Sequence, residues 1–364
     1  MPAVTPETPV RDVSVLIADD SLFMRHLLRR ALESSPRIAV AGEARDGYEA
    51  VEKNAELAPD VIVLDVEMPR LDGIAALARV MAERPVPVVM FSSRTTRGAQ
   101  VTLEALSLGA VDFLPKPESR INIAPIADEL CRKVIAAASA RLRVRGGRKA
   151  RQPRQRREPG PPKGARSLVV IGSSTGGPQA LDEVIPGLPP DFPGCVLVCQ
   201  HMPAGFTLSM AKRLDSLTSV PVREAADGDG LAGGTVLIAP GGQHAKLERS
   251  SPAGDELGAC VRLDSGEPVH GVRPSVDITL QDAGPLFGPD LMVVIMTGMG
   301  FDGARGAKSA KSLGATVICQ DENTSVVWGM PRACVEIGAC DKVLPLSRIA
   351  GAVDKFAKGV EGRV

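Results

Sequence analysis

Short runs of apolar, mostly β-branched residues alternate with stretches of helical periodicity along the first 120 residues. The run at 13–19 precedes a segment in which Met24, Leu27, Leu28 and Ala31 recur at the spacing of a buried helix face. Near-continuous apolar strands separated by amphipathic helices predict a parallel sheet covered on both faces, a doubly wound α/β domain. The predicted strands lie at 13–19, 39–44, 60–65, 87–92 and 111–116.

The same alternation starts again at residue 167. A helix face is marked by Phe206, Met210, Leu214 and Leu217. We therefore expect a second, larger α/β domain with a mainly parallel sheet. Its predicted strands lie at 167–172, 195–200, 235–240, 260–264, 291–298 and 315–320.

The stretch between the two patterns has a different composition. Residues 141–166 hold 11 basic residues and 1 acidic residue, with little apolar content and many Gly and Pro residues. Such a segment cannot bury a core, so we predict domains at 11–140 and 167–364 joined by a flexible basic linker at 141–166. The net charge of zero for the whole chain is thus a cancellation between one basic linker and two acidic domains.

Composition excludes several classes of protein. Apolar residues make up 44% of the chain, which is enough for globular cores, and no run approaches the roughly 20 apolar residues of a membrane span. The N-terminal residues lack the pattern of a secretory signal, so we expect a cytoplasmic protein without membrane insertion. We also expect a monomer. Seven cysteines without a C-x-x-C pair, beside four histidines, indicate reduced thiols and neither a disulfide framework nor a zinc site.

The basic linker leaves a second class of function open, a switch domain that controls a DNA-binding output. Aromatic residues are 3% of the chain, too few for base stacking, and the basic charge lies in the linker and not on a recognition helix. We therefore expect no nucleic-acid partner, and a gel-shift at low and high salt would discriminate.

Charged and hydroxyl side chains end the strands of the first domain. Asp19 and Asp20 follow the first strand, Asp65 ends the third, Ser92 the fourth and Lys116 the fifth. Because carboxyl ends of parallel strands form one crevice, we expect the carboxylates to converge there as a Mg²⁺ site, with the hydroxyl and ammonium positioned to hold phosphoryl oxygens. The alternative is that Asp20 only caps the first helix and Lys116 lies on a solvated loop.

These segments resemble the response-regulator receiver family. The resemblance implies a (βα)5 flavodoxin-like domain in which a histidine kinase phosphorylates Asp65. It further implies that Mg²⁺ is bound by Asp20, Asp65 and the backbone carbonyl of Glu67, with Asp19 in support. Ser92 and Lys116 would respond to phosphorylation, and Phe113 matches the aromatic switch position. The matching segments lie at 16–21, 64–73, 87–93 and 113–117.

The second domain begins with a strand and a glycine-rich turn. Gly172, Ser174 and Gly176 satisfy G-x-S-x-G, the turn that exposes a nucleophilic serine. His201 follows the next strand, and Asp302 follows the strand at 291–298. A hydroxyl, an imidazole and a carboxylate at one edge of a sheet are what nucleophilic catalysis needs. The order Ser, His, Asp excludes an α/β-hydrolase fold.

A purely structural role without catalysis remains open for each of these groups. Glycine-rich loops often only turn the chain or bind phosphate, His201 could be a packed side chain beside a proline, and Asp302 could be the N-cap of the following helix. His244 and His270 lie in turn-like contexts without an equivalent placement at a strand end.

Further segments make the second domain similar to the chemotaxis protein-glutamate methylesterase family, in which a receiver precedes a serine esterase. The resemblance implies Ser174 as nucleophile, His201 as general base and Asp302 as its orienting carboxylate. Thr175 and Met299 would line the oxyanion region. The matching segments lie at 171–178, 200–207, 238–244, 273–277, 296–303 and 320–331.

The chain departs from that family's pattern at two places. Ser173 stands where members often carry alanine and is not the nucleophile position. Val272 stands where a histidine commonly precedes Arg273, and His270 is displaced by two residues, which leaves open whether it compensates.

The resemblance also implies the activity. We expect phosphorylation-regulated hydrolysis of glutamate methyl esters on methyl-accepting chemoreceptors, with release of methanol, and deamidation of receptor glutamines by the same route. The ester chemistry would need no metal or organic cofactor. An esterase for small esters is the alternative that the residues alone leave open.

Overall fold

The chain, as a computed structural model, is described here for residues 12–93, 95–117, 124–142, 165–250 and 258–362. It divides into two compact units, each built around its own parallel sheet. The predicted fold class, two α/β domains, is confirmed. Along the described ranges, no helix combines the length and the apolar content that a membrane crossing requires.

The first unit has a five-stranded parallel sheet in the order β2-β1-β3-β4-β5. This is the flavodoxin-like order, and each of the five predicted strands is present. Strands β3 and β4 are buried along their whole length, as a sheet covered on both faces requires. The strands are β1 (Val13–Ala18), β2 (Ile38–Ala44), β3 (Val61–Asp65), β4 (Val88–Ser92) and β5 (Asp112–Pro115).

Five helices follow these strands in alternation. Four begin at a side-chain cap: Ser21 accepts the N–H of Met24, Asp46 those of Tyr48 and Glu49, Asp72 that of Ala75, and Thr95 that of Gly98. The helices are α1 (Leu22–Glu33), α2 (Gly47–Leu57), α3 (Gly73–Glu83), α4 (Thr96–Leu108) and α5 (Ala124–Ala138).

The second unit has a seven-stranded, entirely parallel sheet in the order β14-β13-β12-β6-β7-β9-β8. Its three central strands, β12, β6 and β7, are fully buried. The strands are β6 (Leu168–Ser173), β7 (Cys195–Gln200), β8 (Val222–Glu224), β9 (Thr235–Ile238), β12 (Leu291–Ile295), β13 (Thr316–Gln320) and β14 (Lys342–Leu344).

One predicted strand of this unit lies outside the large sheet. The segment at 260–264 belongs to β11 (Ala259–Asp264), which pairs antiparallel with β10 (His244–Arg249). The helices are α6 (Gly177–Val184), α7 (Phe206–Leu217), α8 (Val276–Phe287), α9 (Ala304–Ser312), α10 (Met330–Glu336) and α11 (Leu346–Glu361).

The predicted linker lies mostly outside the described residues, since 143–164 are not among them. Ala165, near its end, is 1% exposed, packs in the core of the second unit and donates its N–H to the carbonyl of Leu231 at 2.9 Å. The second unit therefore begins before residue 167. The other two boundaries, at residue 11 and between 140 and 141, stay predictions.

Candidate functional site

The serine, histidine and aspartate singled out in the second unit follow three neighbouring strands. Ser174 comes directly after β6, His201 directly after β7, and Asp302 in the turn between β12 and α9. Strand β6 lies between β12 and β7, and its last residue, Ser173, pairs with Gln200. The strand order thus places these three segments together at the carboxyl ends of adjacent strands. The connection after β6 leads toward β7 and that after β12 leads the opposite way toward β13, and open α/β sheets bind ligands at such a point.

His201 and Asp302 form a buried pair. The Nε2 atom of His201 lies 2.8 Å from Oδ2 of Asp302, and their side chains are 8% and 3% exposed. With Nε2 donating to the carboxylate, Nδ1 is the ring nitrogen left to accept a proton. A carboxylate held against imidazole fixes its tautomer and stabilises the imidazolium that forms during general-base catalysis.

The Asp302 carboxylate also closes the N terminus of α8. It accepts the hydroxyl of Ser275 at 2.7 Å and the backbone N–H groups of Val276 at 2.7 Å and Asp277 at 3.2 Å. Burial raises its pKa, but the hydrogen bond and charge of His201, with the bonds from Ser275 and Val276, outweigh burial and lower the pKa of Asp302. The carboxylate therefore stays ionised.

Asp302 is not the cap of its own helix, so that alternative is wrong. The N-cap of α9 is Gly303, which has no side chain to offer, and Asp302 reaches across to α8 instead. The carboxylate is thus positioned by its own turn and by the N terminus of α8, in addition to its contact with His201.

Backbone contacts fix the position of Ser174. Its N–H donates to the carbonyl of Thr297 at 3.0 Å, and its carbonyl accepts Gly177 N at 2.7 Å and Gln200 Nε2 at 3.0 Å. The residue is half-buried. Within the part of the chain that the structure describes, the Ser174 hydroxyl makes no hydrogen bond to His201, so the hydroxyl and the imidazole lie at one edge of the sheet without a direct bond.

Gln200 is a positioning residue that sequence reasoning missed. Its Nε2 donates to the carbonyls of Ser174 at 3.0 Å and His201 at 3.1 Å, while its Oε1 accepts the hydroxyl of Ser173 at 2.6 Å. One buried amide therefore joins the segment of Ser174 to that of His201. The available signal was a polar residue that ends an otherwise apolar strand.

Ser173, the neighbouring serine, has a structural place. It is 0% exposed and its hydroxyl is used by Gln200. This agrees with the expectation that Ser173 is not the nucleophile position.

The turn after β12 packs against the serine. A Cβ built on Gly298 would lie 2.8 Å from Ser174 Cβ and 2.4 Å from Met330 Sδ, so only glycine fits there. The hydroxyl of Thr297 donates to the carbonyl of Thr175 at 2.9 Å, and residue Thr175 is 3% exposed. Met299, half-buried, follows Gly298. The two residues expected to line the oxyanion region thus lie on the segments that adjoin Ser174.

The other two histidines of this unit have different surroundings. His244 is 2% exposed, with Nε2 on the carbonyl of Glu267 at 3.0 Å and Nδ1 accepting Ser275 N at 3.2 Å, so both nitrogens serve the fold. His270 is exposed, with Nε2 3.2 Å from Oδ2 of Asp277.

The first unit gathers its charged groups at one edge of its sheet. Lys116 Nζ lies 2.7 Å from Oδ2 of Asp65 and 3.2 Å from Oδ2 of Asp19. Both carboxylates are buried, and burial together with the charge of Asp19 raises the pKa of Asp65 to about 7 against the opposing effect of Lys116. Lys116 therefore does not lie on a solvated loop, and that alternative is wrong.

These carboxylates fit a divalent cation. One oxygen each from Asp19, Asp20 and Asp65 lies within 4.8 Å of the others. Lys116 brings one positive charge to three carboxylates, so a further cation would neutralise the remaining negative charge, and oxygen ligands are those that Mg²⁺ prefers. The cap of α1 is Ser21, so the interpretation of Asp20 as that cap is wrong.

The remaining receiver positions lie beside this cluster or on its strands. The N–H of Glu67 is 3.3 Å from Oδ1 of Asp65, which places its backbone at the carboxylate. Ser92, the last residue of β4, is 0% exposed, and Phe113, on β5, is 3% exposed.

Both units match known protein families. The family model described as CheB methylesterase matches residues 169–353, and that described as response regulator receiver domain matches residues 15–127. A protein-glutamate methylesterase/protein-glutamine glutaminase of Symbiobacterium thermophilum is 48% identical, over 95% of this chain and 97% of its own. One of the same description from Thermotoga maritima is 44% identical, over 93% and 97%.

A solved structure supports the fold of the second unit. The crystal structure of the Thermotoga maritima CheB methylesterase catalytic domain is 44% identical and covers 53% of this chain and 98% of its own, with a TM-score of 0.50. The resemblance inferred from the motifs is confirmed: the chain belongs to the CheB methylesterase family and carries a response-regulator receiver domain.

Proposed function

We propose that this protein hydrolyses glutamate methyl esters on methyl-accepting chemoreceptors and deamidates receptor glutamines. The observation that carries the proposal is the buried His201–Asp302 pair, 2.8 Å apart, on the segments that follow the two strands flanking the strand of Ser174. The names of the similar proteins supply the substrate class, since they are described as protein-glutamate methylesterase and protein-glutamine glutaminase.

The ester reaction uses groups of this chain. Ser174 Oγ attacks the ester carbonyl while His201 takes its proton at Nδ1, and Asp302 stabilises the imidazolium. His201 returns the proton to the departing methoxide, so methanol leaves and an acyl-enzyme remains. Water then attacks that acyl group with His201 as base, releasing glutamate and restoring the serine. With glutamine, ammonia leaves in place of methanol.

The charge that develops on the carbonyl oxygen needs hydrogen-bond donors. We assign this role to the backbone around Thr175 and Met299, on the two segments that adjoin Ser174. A backbone donor at an oxyanion contributes about 3 to 4 kcal/mol to transition-state stabilisation. The steps written here call on no metal or organic cofactor.

The receiver site would regulate this reaction. Asp20, Asp65 and the carbonyl of Glu67 would hold Mg²⁺, with Asp19 in support, and a bound Mg²⁺ supplies charge neutralisation for the phosphoryl group. Asp65 would accept the phosphoryl group from a histidine kinase, and Lys116 would pair with its oxygens.

Three further parts complete the regulatory proposal. Ser92 would bind another phosphoryl oxygen, and Phe113 would change its packing in response. Phosphorylation of Asp65 then raises the esterase rate. We place these reactions in the cytoplasm, where the receptor's modified region and the kinase would both be accessible.

Methanol release from membranes that contain methylated receptor tests the proposal. We expect release by the wild-type protein and faster release after acetyl phosphate and Mg²⁺ are added. Asp65→Ala should keep the basal rate and lose the stimulation. Equal rates with and without acetyl phosphate in the wild type would reject the regulation, and no methanol release would reject the receptor as substrate.

A further inference from the structure

An exposed aromatic ring lies next to the catalytic carboxylate. Phe301 is 50% exposed and directly precedes Asp302. The segment that carries it is bracketed by Gly298, which packs against Ser174, and by Asp302, which contacts His201. The ring therefore lies on the segment between Gly298 and Asp302, which contacts Ser174 at one end and His201 at the other.

The ring of His270 packs against Phe301. Their ring centroids are 4.6 Å apart with an interplanar angle of 65°, an edge-to-face contact. Nitrogen or oxygen atoms of His270, Asp277 and Asp302 lie within 4.8 Å of one another. Both Asp302 oxygens already accept two hydrogen bonds each, so this group is a hydrogen-bonded cluster adjoining the His201–Asp302 pair.

The backbone holds His270 in place. Val269 and Val272 exchange backbone hydrogen bonds of 3.1 and 3.0 Å, which closes a two-residue hairpin turn. Its central residues, His270 and Gly271, have φ of 55° and 74°, as a type I′ turn requires. A non-glycine residue in the left-handed region costs about 1 kcal/mol or more of conformational free energy. The contacts of the His270 ring with Phe301 and Asp277 offset this cost.

Asp277 fixes the other side of the imidazole. Its Oδ2 lies 3.2 Å from Nε2 of His270, and its Oδ1 accepts the N–H of Gly306 at 2.7 Å. Asp277 is 5% exposed and lies in the first turn of α8, whose N terminus Asp302 caps. The aromatic pair is thus connected to the frame that positions Asp302.

The backbone next to each residue of the aromatic pair borders open space. A Cβ built on Gly300 or on Gly271 would meet nothing within 4 Å. Phe301, itself 50% exposed, is therefore accessible from solvent on the segment between Gly298 and Asp302. A rigid aromatic contact gives up little conformational freedom on binding, which is why such side chains serve as anchors for polypeptides.

We propose that Phe301, held by His270, forms an aromatic wall that binds the apolar part of the receptor chain next to the esterified glutamate. This inference rests on the proposed function and names a specificity determinant of the same site. The wall acts on binding of the polypeptide and not on the reacting atoms. A small ester that does not reach the wall should be hydrolysed without it.

The test compares two substrates and a matched control. Methanol release from methylated receptor and hydrolysis of p-nitrophenyl acetate are measured for the wild type, Phe301→Ala and Phe23→Ala. Phe23, on α1, is also 50% exposed and so is matched in type and exposure. Phe301→Ala should raise KM for receptor about tenfold with kcat changed less than about threefold, while Phe23→Ala behaves as wild type.

Two further variants test whether the ring itself acts. Phe301→Tyr should restore the receptor KM, and His270→Ala should raise that KM in the same direction by a smaller factor. On p-nitrophenyl acetate all of these variants should stay within about twofold of the wild type in kcat/KM.

The outcomes separate the wall from the proposed function. A wild-type protein that releases no methanol from receptor rejects the proposed function and the substrate assigned to the wall. An active wild type beside Phe301→Ala with an unchanged receptor KM rejects the wall alone. Equal losses of Phe301→Ala on both substrates also reject it, because the residue would then act on the catalytic groups.

Discussion

The Nε2 atom of His201 lies 2.8 Å from Oδ2 of Asp302, and that same oxygen accepts the N–H of Val276 at 2.7 Å. One carboxylate therefore holds the His201 ring and closes the N terminus of a helix. A negative charge at a helix N terminus is favourable, so folding itself holds the carboxylate where catalysis would use it.

Asp302→Asn tests whether the negative charge of this side chain, and not only its shape, is needed for activity. The amide has a similar size but cannot stabilise imidazolium, so we expect kcat for methanol release to fall on the order of 10⁴-fold. Asp277→Asn, in the first turn of α8, is the control and should retain most activity. A loss in Asp277→Asn as large as that in Asp302→Asn would contradict the role given to Asp302.

The lowered pKa of Asp302 predicts how acid affects stability. A carboxylate whose pKa is lower in the folded state stabilises the protein above its unfolded pKa, about 3.9, and that stabilisation is lost as the pH falls through the folded value. Asp302→Asn should therefore be less stable than the wild type by about 1 to 3 kcal/mol at pH 7. The difference should shrink below about pH 4.

Trp328 allows this difference to be measured in the second unit alone. It is the one tryptophan of the chain, and its Nε1 donates to the carbonyl of Gln320 at 3.0 Å. Urea titrations followed by tryptophan fluorescence at pH 7, 5 and 3.5 would give the two free energies of unfolding. A difference between wild type and Asp302→Asn that grows toward pH 3.5 would contradict the assignment.

Gly298→Ala should disturb the nucleophile through packing. The new methyl group would lie 2.8 Å from Ser174 Cβ and 2.4 Å from Met330 Sδ, so the turn or the serine must shift. Misplacement of a reacting group by about 1 Å can cost about 10²-fold in rate, and we expect a loss of that order in kcat. In α11, Gly351→Ala meets nothing within 4 Å and serves as control. Wild-type kcat in Gly298→Ala would exclude close packing against Ser174.

Gln200→Ala tests the amide that joins the segments of Ser174 and His201. It would leave two carbonyls and the Ser173 hydroxyl without this partner. We expect kcat to fall about 10-fold to 100-fold while KM for p-nitrophenyl acetate changes little, since the amide positions the reacting groups and does not bind substrate. The control is Gln243→Ala, at a half-buried position. A change confined to KM would contradict a positioning role.

The sequence predicted where each site residue stands on its own strand, because short apolar runs and the polar residues that end them are local signals. It could not show that β6 lies between β12 and β7, since strand order depends on long-range pairing. The strands Val222–Glu224 and Lys342–Leu344 were not predicted because three residues are too few for a period of two to appear.

Contacts made across the fold also escaped prediction. The turn sequence at Asp302 left a cap on the next helix open as an alternative, but Gly303 is that N-cap and the carboxylate reaches the N terminus of α8. The place of Gly298 depends on a close approach of two loops. Neither contact has a signature in the residues next to it along the chain.

The central claim is that Ser174 is the nucleophile that cleaves the receptor methyl ester. The most direct measurement is methanol release from methylated receptor by the wild type, Ser174→Ala and Ser173→Ala in parallel. We predict that Ser174→Ala loses on the order of 10⁴-fold or more in rate, while Ser173→Ala, which removes only the hydroxyl bound to Gln200, remains an active esterase. Retained methanol release in Ser174→Ala would contradict the account.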